Sequence, residues 1–308
     1  YKYTASQFDY NKLYDIAYLA TINLNQVIDV NYYPVPQTRF SNMRHRPIGL
    51  GIQGLADALV LMRIQFDSEE AVEFNSKYME TIYLASVSAS NNLAKERSDK
   101  MRALIQWFRE SQVAYPEYYD DSLVLPDDCM DSLYHDLKPC KYELDRDPEL
   151  TTIGSYSTFD GSPFSEGKFQ FDLWERKESE SSPIRLMYPE RWAQLREDVV
   201  RYGTRNSLMT ALMPTASTSQ ILGNNECFEH FTNNIYTRKT QAGDFVLVNK
   251  YVVKDLVAVG IWNENLKNLI IANNGSVQNI DEIPPEMRAL YKTVWELKQV
   301  WVLKQAVA

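Results

Sequence analysis

The sequence predicts an α/β fold that is rich in helix, and three features of composition and pattern lead to that class. The chain has 308 residues, 44% hydrophobic and 24% charged, which is ordinary globular composition and enough to bury a sizeable core. Its 11 glycines and 13 prolines are fewer than the roughly 37 expected from average usage, so long helices are favoured. Segments with helical spacing of apolar residues also alternate with short apolar runs of strand type.

Composition and charge exclude several functional classes. The longest good apolar run, residues 55–62, has eight residues and contains Asp57, whereas a membrane span needs about 18. A net charge of −9 argues against an unaided grip on nucleic acid, because that grip uses clustered Lys and Arg. Three cysteines cannot form a disulfide framework of the secreted type, and no signal peptide opens the chain, so a reducing, cytoplasmic location is expected.

The N-terminal part of the chain predicts three helices and one strand. Apolar side chains recur every three to five positions in the first helix, and the prolines of residues 32–36 end it. Ser68 is a good N-cap for the third helix, because Glu69 and Glu70 follow it in the positive first turn. The predicted elements are a helix at 9–30, a strand at 48–52, a helix at 55–62 and a helix from 68 to about 96.

An acidic segment interrupts this pattern at about residues 98–152. After a short helix predicted at 101–108, residues 113–149 hold 11 Asp and Glu but only 3 Lys and Arg, a net charge of −8. Tyrosines and prolines stand among the acids, without a periodic apolar face. We therefore expect residues 98–152 to be a surface insertion with little core of its own. An acidic arm that binds a partner is the alternative.

The C-terminal part predicts helices around a strand and a hairpin. Pro189 suits the first turn of a helix that Gly203 can end, and residues 207–213 are expected to form a buried strand. The other predicted elements are a hairpin of 235–240 with 244–248 and helices at 250–259, 264–272 and 285 to the end. No residue caps the last helix and the chain starts without Met, so a piece of a longer protein is expected. The apolar face of this last helix consists of Leu290, Val294, Leu297 and Trp301.

A glycine motif of the form GxGxxG lies at residues 49–54 and runs into a predicted helix. Alone it suggests a dinucleotide site, with Asp67, Glu69 and Glu70 near the distance of a ribose-binding acid. A dinucleotide loop needs a separate preceding strand, however, and here residues 48–52 must be strand and motif at once. Tight packing of strand on helix is therefore favoured over a nicotinamide or flavin site.

A hydroxyl-rich loop follows the strand predicted at 207–213. Thr215, Ser217, Thr218 and Ser219 place four hydroxyls within five positions, at the end of a strand and the start of a possible helix. Hydroxyl and main-chain N–H donors at such a position can hold an anion such as phosphate without a lysine. The alternative, from the residues alone, is that these side chains only cap and turn the chain.

The cysteines and histidines offer no strong site. Cys227 lies two residues from Asn225 and from Glu229, neighbours that redox or radical chemistry would use, but a lone cysteine between apolar residues is more often inert. The histidines form no HxxxH or HExxH pair, so no metal site is predicted and each is expected at the surface or at a cap. No role is assigned to Cys129, Cys140, His45, His135 and His230.

Five ordered strings make the chain resemble the large subunit of class I ribonucleotide reductase, of the eukaryotic or large-DNA-virus type. The two longest are RHRPIGLGIQGLAD at 44–57 and MPTASTSQILGNNE at 213–226. NYYPVP at 31–36, GSP at 161–163 and NIYTR at 234–238 agree with them. The resemblance covers essentially the whole chain except the acidic segment.

This resemblance implies that residues 1–308 are a portion of the ten-stranded α/β barrel of that family, which reduces ribonucleoside diphosphates at the 2′ carbon by radical chemistry. The glycine motif would then serve barrel packing, and no dinucleotide is expected. By the same resemblance, the loop that holds the substrate diphosphate would consist of Pro214, Thr215, Ala216, Ser217 and Thr218.

Other working parts of the family would lie outside this segment. By resemblance, the finger loop with the thiyl cysteine, the reducible cysteine pair and the region that senses ATP and dATP would precede Tyr1. The radical-relay tyrosines and the C-terminal thiols would follow Ala308. The implied partners are a small subunit with a metal-containing radical source, thioredoxin or glutaredoxin as reductant, and a second large subunit. The segment itself is expected to bind no cofactor and to be inactive alone.

Two features need separate interpretation within the resemblance. Asn225, Cys227 and Glu229 match the Asn-x-Cys-x-Glu letters of the thiyl finger loop, but their surroundings belong to the segment that follows the phosphate loop. Cys227 is therefore not expected to be catalytic. His230 stands where the family usually continues with proline, which leaves the turn after Glu229 open.

Two rival functions stay open from the sequence. One is a non-catalytic structural or regulatory half-barrel that pairs with another chain, which the intact mass of the native protein tests. The other is a nicotinamide- or flavin-dependent oxidoreductase that uses residues 49–54. Flavin absorbance or nicotinamide quenching of tryptophan fluorescence would reveal it.

Overall fold

The computed structural model describes residues 7–111, 137, 141–174, 186–241 and 243–307. These residues form two compact units, each with an apolar core. One unit contains the described residues up to Asp9 with Gly51–Tyr78 and the described part of Leu212–Ala308, and the other contains Tyr10–Leu50 with the described part of Met79–Ala211. Nowhere in these ranges is a helix both long enough and apolar enough to cross a membrane.

Helices dominate the described residues. They are α1 (Tyr10–Val30), α2 (Pro36–His45), α3 (Leu55–Met62), α4 (Glu69–Ser111), α5 (Lys141–Leu144), α6 (Pro189–Tyr202), α7 (Thr218–Leu222), α8 (Lys250–Ala258), α9 (Glu264–Ala272), α10 (Pro285–Leu290) and α11 (Gln299–Val307). Short 3₁₀ helices lie at Pro163–Glu166, Gln170–Asp172 and Val294–Glu296. Strands β1 (Ile235–Thr240) and β2 (Gly243–Val248) pair antiparallel, with Ile235 opposite Val248. The helices predicted at 9–30, 55–62, 250–259 and 264–272 and the hairpin are confirmed.

Helix α2 is absent from the sequence prediction, which reads the prolines of residues 32–36 only as the end of α1. Pro36 instead occupies the first turn of α2, where its missing N–H would have no intrahelical partner anyway. Arg46 follows the helix in the left-handed conformation, with φ 46°. Its buried guanidinium donates to Asp29 Oδ1 at 2.7 Å and to Asn25 Oδ1 at 3.0 Å, which ties α2 to α1. A proline therefore starts this helix as well as ending the one before.

Helix α4 is longer than predicted. Ser68 caps it as expected, because its Oγ accepts the Ala71 N–H at 3.1 Å. The helix then continues through residues 101–108, which the sequence predicts as a separate helix. A buried apolar contact at helical spacing supports this continuation. The residues of that contact are Met101, Leu104, Ile105, Phe108, Leu137, Leu144 and Ile153.

The acidic segment is described only at its two ends. Its start belongs to α4, and Glu143 and Leu144 of α5 are buried, so these ends contribute to the packing of their unit. Residues 112–136 and 138–140 lie outside the described residues, and with them Cys129, Cys140 and His135. The surface insertion expected there stays a prediction.

We expect Ser68→Ala to lower the free energy of unfolding by about 1 kcal/mol, because an N–H in the first turn of α4 loses its acceptor. Denaturant unfolding measures the change. Ser88→Ala is the matched control, since the Ser88 hydroxyl only donates back to the Leu84 carbonyl within α4, and alanine there should be neutral or slightly stabilising. Equal losses in the two variants would contradict the capping role.

Two extended segments, residues 45–50 and 207–211, run parallel and side by side. Four main-chain hydrogen bonds of 2.9 to 3.1 Å join them. The N–H of Ser207 donates to the carbonyl oxygen of His45, and the N–H of Ala211 donates to that of Leu50. In the other direction, the N–H of Ile48 donates to Leu208 and the N–H of Leu50 donates to Met209. The strands predicted at 48–52 and 207–213 therefore shorten to one parallel bridge, between Leu50 and Thr210. Gly49 permits the close approach, since a Cβ there would lie 3.0 Å from that of Ala211.

Each unit buries its own core. In the unit with α1 and α6, Trp192 is buried and its indole N–H donates to Glu80 Oε1 at 3.0 Å. Pro189 starts α6 and Gly203 ends it with φ 78°, as predicted. The core of the other unit contains Ala56, Val60, Phe231, Ile235, Val252, Leu256, Leu266, Ile270, Val277, Ile280, Ile283, Met287, Leu290 and Tyr291.

The helix predicted from residue 285 to the end is wrong, because the chain breaks there into α10, a 3₁₀ helix and α11. Thr293 and Glu296 form a capping box, in which the Thr293 N–H donates to Glu296 Oε2 at 2.6 Å. This local pairing starts a new turn in place of the continuing helix. The four residues of the expected apolar face separate into buried Leu290 and partly exposed Val294, Leu297 and Trp301.

Candidate functional site

The candidate site is the loop of residues 214–218, which leads into α7. Pro214, Ala216, Ser217 and Thr218 are exposed, and Thr215 is half-buried. Thr215 adopts a left-handed backbone with φ 54°, which is unfavourable for a β-branched residue and bends the chain sharply. The loop therefore presents its polar atoms on a tight, exposed turn.

Hydrogen bonds from two main-chain N–H groups hold Thr215 in this conformation. Its Oγ1 accepts the main-chain N–H of Cys227 at 2.8 Å, and its carbonyl oxygen accepts the N–H of Ser219 at 2.9 Å. A residue in a sparsely populated conformation costs about 1 to 3 kcal/mol and persists only where its surroundings hold it. Thr215 thus supports the shape of the loop from inside.

Gln53 of the glycine motif contacts the other end of the loop. The Thr218 hydroxyl donates to Gln53 Oε1 at 3.0 Å, across 165 positions of sequence. Gln53 is a site residue that the sequence patterns did not predict. It is the only polar side chain within residues 49–54, and that is the one signal that could have marked it.

The loop also carries hydrogen-bond donors that no acceptor in the described ranges uses. The main-chain N–H groups of Ala216, Ser217 and Thr218 lack an acceptor there, and the Ser217 side chain makes no capping bond. Ser219 Oγ is buried and unpartnered among the same residues. Helix α7 has only five residues, so an anion would be held by individual N–H and O–H groups and not by a helix dipole.

Residues 225–227 back the loop and connect it to the start of α3. The Gly54 N–H donates to the Asn225 carbonyl oxygen at 3.0 Å, and the Asn225 N–H donates to Asp57 Oδ2 at 2.6 Å. Burial and the hydrogen bond to Asp57 raise the pKa of Tyr251, so its hydroxyl stays protonated as a donor. The buried Asp57 carboxylate therefore fixes the segment on which Thr215 depends.

Cys227 lies within this backing segment. It is 2% exposed and has a left-handed backbone with φ 41°. Burial raises the pKa of its thiol, which disfavours the reactive thiolate. The Asn225 side-chain amide donates to the Glu229 carbonyl oxygen at 2.6 Å, so the first and last residues of the Asn-x-Cys-x-Glu sequence are joined across a turn. These contacts favour a supporting role for Cys227.

The expectation of a surface or cap position is wrong for His230. Its ring is buried, packs on Phe66 with centroids 4.6 Å apart, and places Nε2 2.7 Å from the Lys292 carbonyl oxygen. Burial lowers the pKa of His230 to about 4, so the ring is neutral at physiological pH. His45 is half-buried, with Nδ1 2.8 Å from Thr158 Oγ1. Among the described residues, no group of three or more His, Cys, Asp or Glu is placed to hold a metal ion.

Comparison with known proteins identifies similar chains. A family model described as "Ribonucleotide reductase, barrel domain" matches residues 1–308. The ribonucleoside-diphosphate reductase large chain of Neurospora crassa is 41% identical over 304 residues, which are 99% of this chain and 26% of that protein. The large subunit of Caenorhabditis elegans is 42% identical over 300 residues, 97% of this chain and 30% of that protein. The chain thus spans between a quarter and a third of the length of these relatives.

A solved structure is similar in fold. The alpha subunit of Actinobacillus ureae class Id ribonucleotide reductase superposes with a TM-score of 0.53 at 20% sequence identity. The match covers 96% of this chain and 37% of that one. At this identity the likeness concerns the fold alone.

Proposed function

This chain belongs to the ribonucleotide reductase barrel-domain family, and from that premise we propose that it supplies the substrate diphosphate-binding loop of a ribonucleoside-diphosphate reductase large subunit. The family resemblance of the sequence and the barrel fold that it implied are confirmed. One observation carries the proposed site: an exposed, tightly held loop has three consecutive N–H groups without an acceptor in the described ranges. The proposed binding residues are Pro214, Thr215, Ala216, Ser217 and Thr218.

The loop would bind and orient substrate and would not take part in the redox steps. The N–H groups of residues 216–218 and the Ser217 hydroxyl would donate to diphosphate oxygens, at about 1.5 to 3 kcal/mol for each hydrogen bond to a charged acceptor. Cys227 and Ser219 hold Thr215, which fixes the turn that carries these donors, and the turn contains no lysine or arginine. Holding the diphosphate at one end of the nucleotide would set where the ribose lies relative to the reacting groups.

The remaining functions of the enzyme are proposed for other parts of the assembly. A small subunit with a metal-containing radical source would start the chemistry, and thioredoxin or glutaredoxin would supply the electrons that reduce the 2′ carbon. ATP and dATP would regulate activity at sites outside residues 1–308, and the large subunit would form a homodimer. The low cysteine count, three in 308 residues, supports a cytoplasmic location.

Replacing two loop hydroxyls tests the site. In the assembled enzyme, Ser217→Ala combined with Thr218→Val should weaken the binding of ribonucleoside diphosphate at least about tenfold, because the Ser217 donor to the charged ligand is lost and Thr218 loses the hydroxyl that binds Gln53. Equilibrium binding measures the effect. Ser88→Ala is the matched control, since that hydroxyl lies on α4 and donates to the Leu84 carbonyl oxygen, and its removal should leave affinity unchanged. Unaltered affinity in the double variant would refute the assignment.

A further inference from the structure

We propose that Gln53 is an additional diphosphate-binding residue, whose side-chain amide donates to the same anion as the loop of residues 214–218. The inference rests on the proposed function of that loop. It gives the glycine motif at 49–54 a role in binding in addition to its role in packing.

Two hydrogen bonds define the position of Gln53, one at the adjacent main chain and one at the tip of its side chain. The next residue, Gly54, has φ 83°, and its N–H donates to the Asn225 carbonyl oxygen at 3.0 Å. The Oε1 atom of Gln53 accepts a hydrogen bond from the Thr218 hydroxyl at 3.0 Å. One bond anchors the main chain next to Gln53 and the other binds the tip of its side chain, so the carboxamide lies beside the loop.

The chemistry of the carboxamide then decides what Gln53 offers. A glutamine has one acceptor oxygen and two N–H donors on the same planar group. The Thr218 hydroxyl, which also lies 3.3 Å from the Thr215 carbonyl oxygen, makes its shorter contact of 3.0 Å with this oxygen, whereas Nε2 has no acceptor in the described part of the chain. The unused N–H groups are therefore next to Thr218, at the edge of the cluster of free main-chain donors. They add neutral donors to a loop that contains no cation.

The alternative role for Gln53 is positioning alone, in which Oε1 orients the Thr218 hydroxyl and Nε2 does nothing. Two substitutions separate the roles. Gln53→Glu keeps the size and the acceptor for Thr218 but replaces the donor with a negative charge. Gln53→Leu removes both acceptor and donor without adding charge. The charge of Gln53→Glu repels an anion in either role, so the deciding comparison is Gln53→Leu with Thr218 already replaced by valine. A binding role predicts a further loss of affinity there, whereas a role that acts only through Thr218 predicts none.

The experiment is titration of the assembled enzyme with inorganic pyrophosphate, which isolates the diphosphate from base preference. We expect Gln53→Glu to weaken pyrophosphate binding at least about tenfold, and Gln53→Leu to weaken it even when Thr218 is already valine. The deficit of Gln53→Glu should shrink as salt rises, because part of it is repulsion between exposed charges. Gln26→Glu, the same change on the exposed part of α1, controls for net charge and should bind like wild type.

The outcomes of this titration distinguish a failure of the Gln53 inference from a failure of the loop assignment. If the Ser217→Ala, Thr218→Val protein loses affinity while Gln53→Glu binds like wild type, the inference about Gln53 is wrong and the loop assignment stands. A Gln53→Leu change that adds no loss to Thr218→Val also refutes it, in favour of positioning. If the loop variant itself keeps full affinity for pyrophosphate, the proposed function of the loop fails first.

Discussion

Glu143→Gln should lower the free energy of unfolding by about 3 to 5 kcal/mol, the usual cost of removing one partner from a buried ion pair. Glu143 is completely buried and accepts from Arg205 Nη1 at 2.7 Å and from Arg97 Nη2 at 3.3 Å. The two arginines are nearly as buried as the carboxylate. Without its charge, two guanidinium groups remain in a core that cannot solvate them. Denaturant unfolding of wild type and variant measures the difference.

The same carboxylate predicts how stability depends on pH. Burial by itself raises the pKa of Glu143, but Arg205 and Arg97 outweigh burial and hold the pKa at about 2, below its ordinary 4.5. A depressed folded-state pKa means that the stabilisation is complete above the ordinary value and is lost as pH falls towards the folded one. The stability difference between wild type and Glu143→Gln should therefore be large at about pH 7 and smaller at about pH 3.

An exposed ion pair provides the control for Glu143. Glu73 and Lys77 form an i,i+4 pair at 2.6 Å on the surface of α4, with 65% and 41% of their side chains exposed. Glu73→Gln makes the same chemical change where water can solvate the remaining charge, so the expected loss is below about 1 kcal/mol. Similar losses at both positions, or a gap that widens on acidification, would contradict the account of Glu143.

Gly154→Ala should be nearly as damaging, at about 3 kcal/mol or more, the upper end of overpacking costs. An added Cβ would lie far inside van der Waals contact with the main-chain oxygen of Ala94 and at 2.8 and 2.9 Å from Ser98 Oγ and N. Ala94 and Ser98 are both buried within α4, and a main-chain atom in the middle of a helix cannot rotate away. The segment that contains residue 154 would therefore have to move away from α4.

Gly260→Ala separates this steric cost from backbone strain. Gly260 has φ 78° and nothing within 4 Å of an added Cβ, so alanine there should cost only the roughly 1 to 2 kcal/mol of a left-handed residue. Thermal and denaturant unfolding of the two variants measure the comparison. A Gly154→Ala protein as stable as Gly260→Ala would show that the contact with α4 is loose.

Features whose cause lies within a few residues were determined by the sequence itself. Ser68, Pro189 and Gly203 act on the main chain of the turn next to them, so the starts of α4 and α6 and the end of α6 needed no distant partner. The ordered string at 213–226 likewise marked the candidate loop before its geometry was known. Helix α2 was not predicted, because a proline in the sequence can mark either the end of one helix or the start of the next. The break after α10 was not predicted, because its capping box lies within a continuous helical pattern of apolar residues.

Only the tertiary structure decided burial and the partners of polar groups. Glu143 lies in the most acidic part of the sequence, where exposure is the natural expectation, yet it is buried between Arg97 and Arg205, 46 and 62 positions away. The contact of Gln53 with Thr218 spans 165 positions in the same manner. The environment of a side chain depends on which distant segments fold against it, and periodicity within one segment carries no information about those partners.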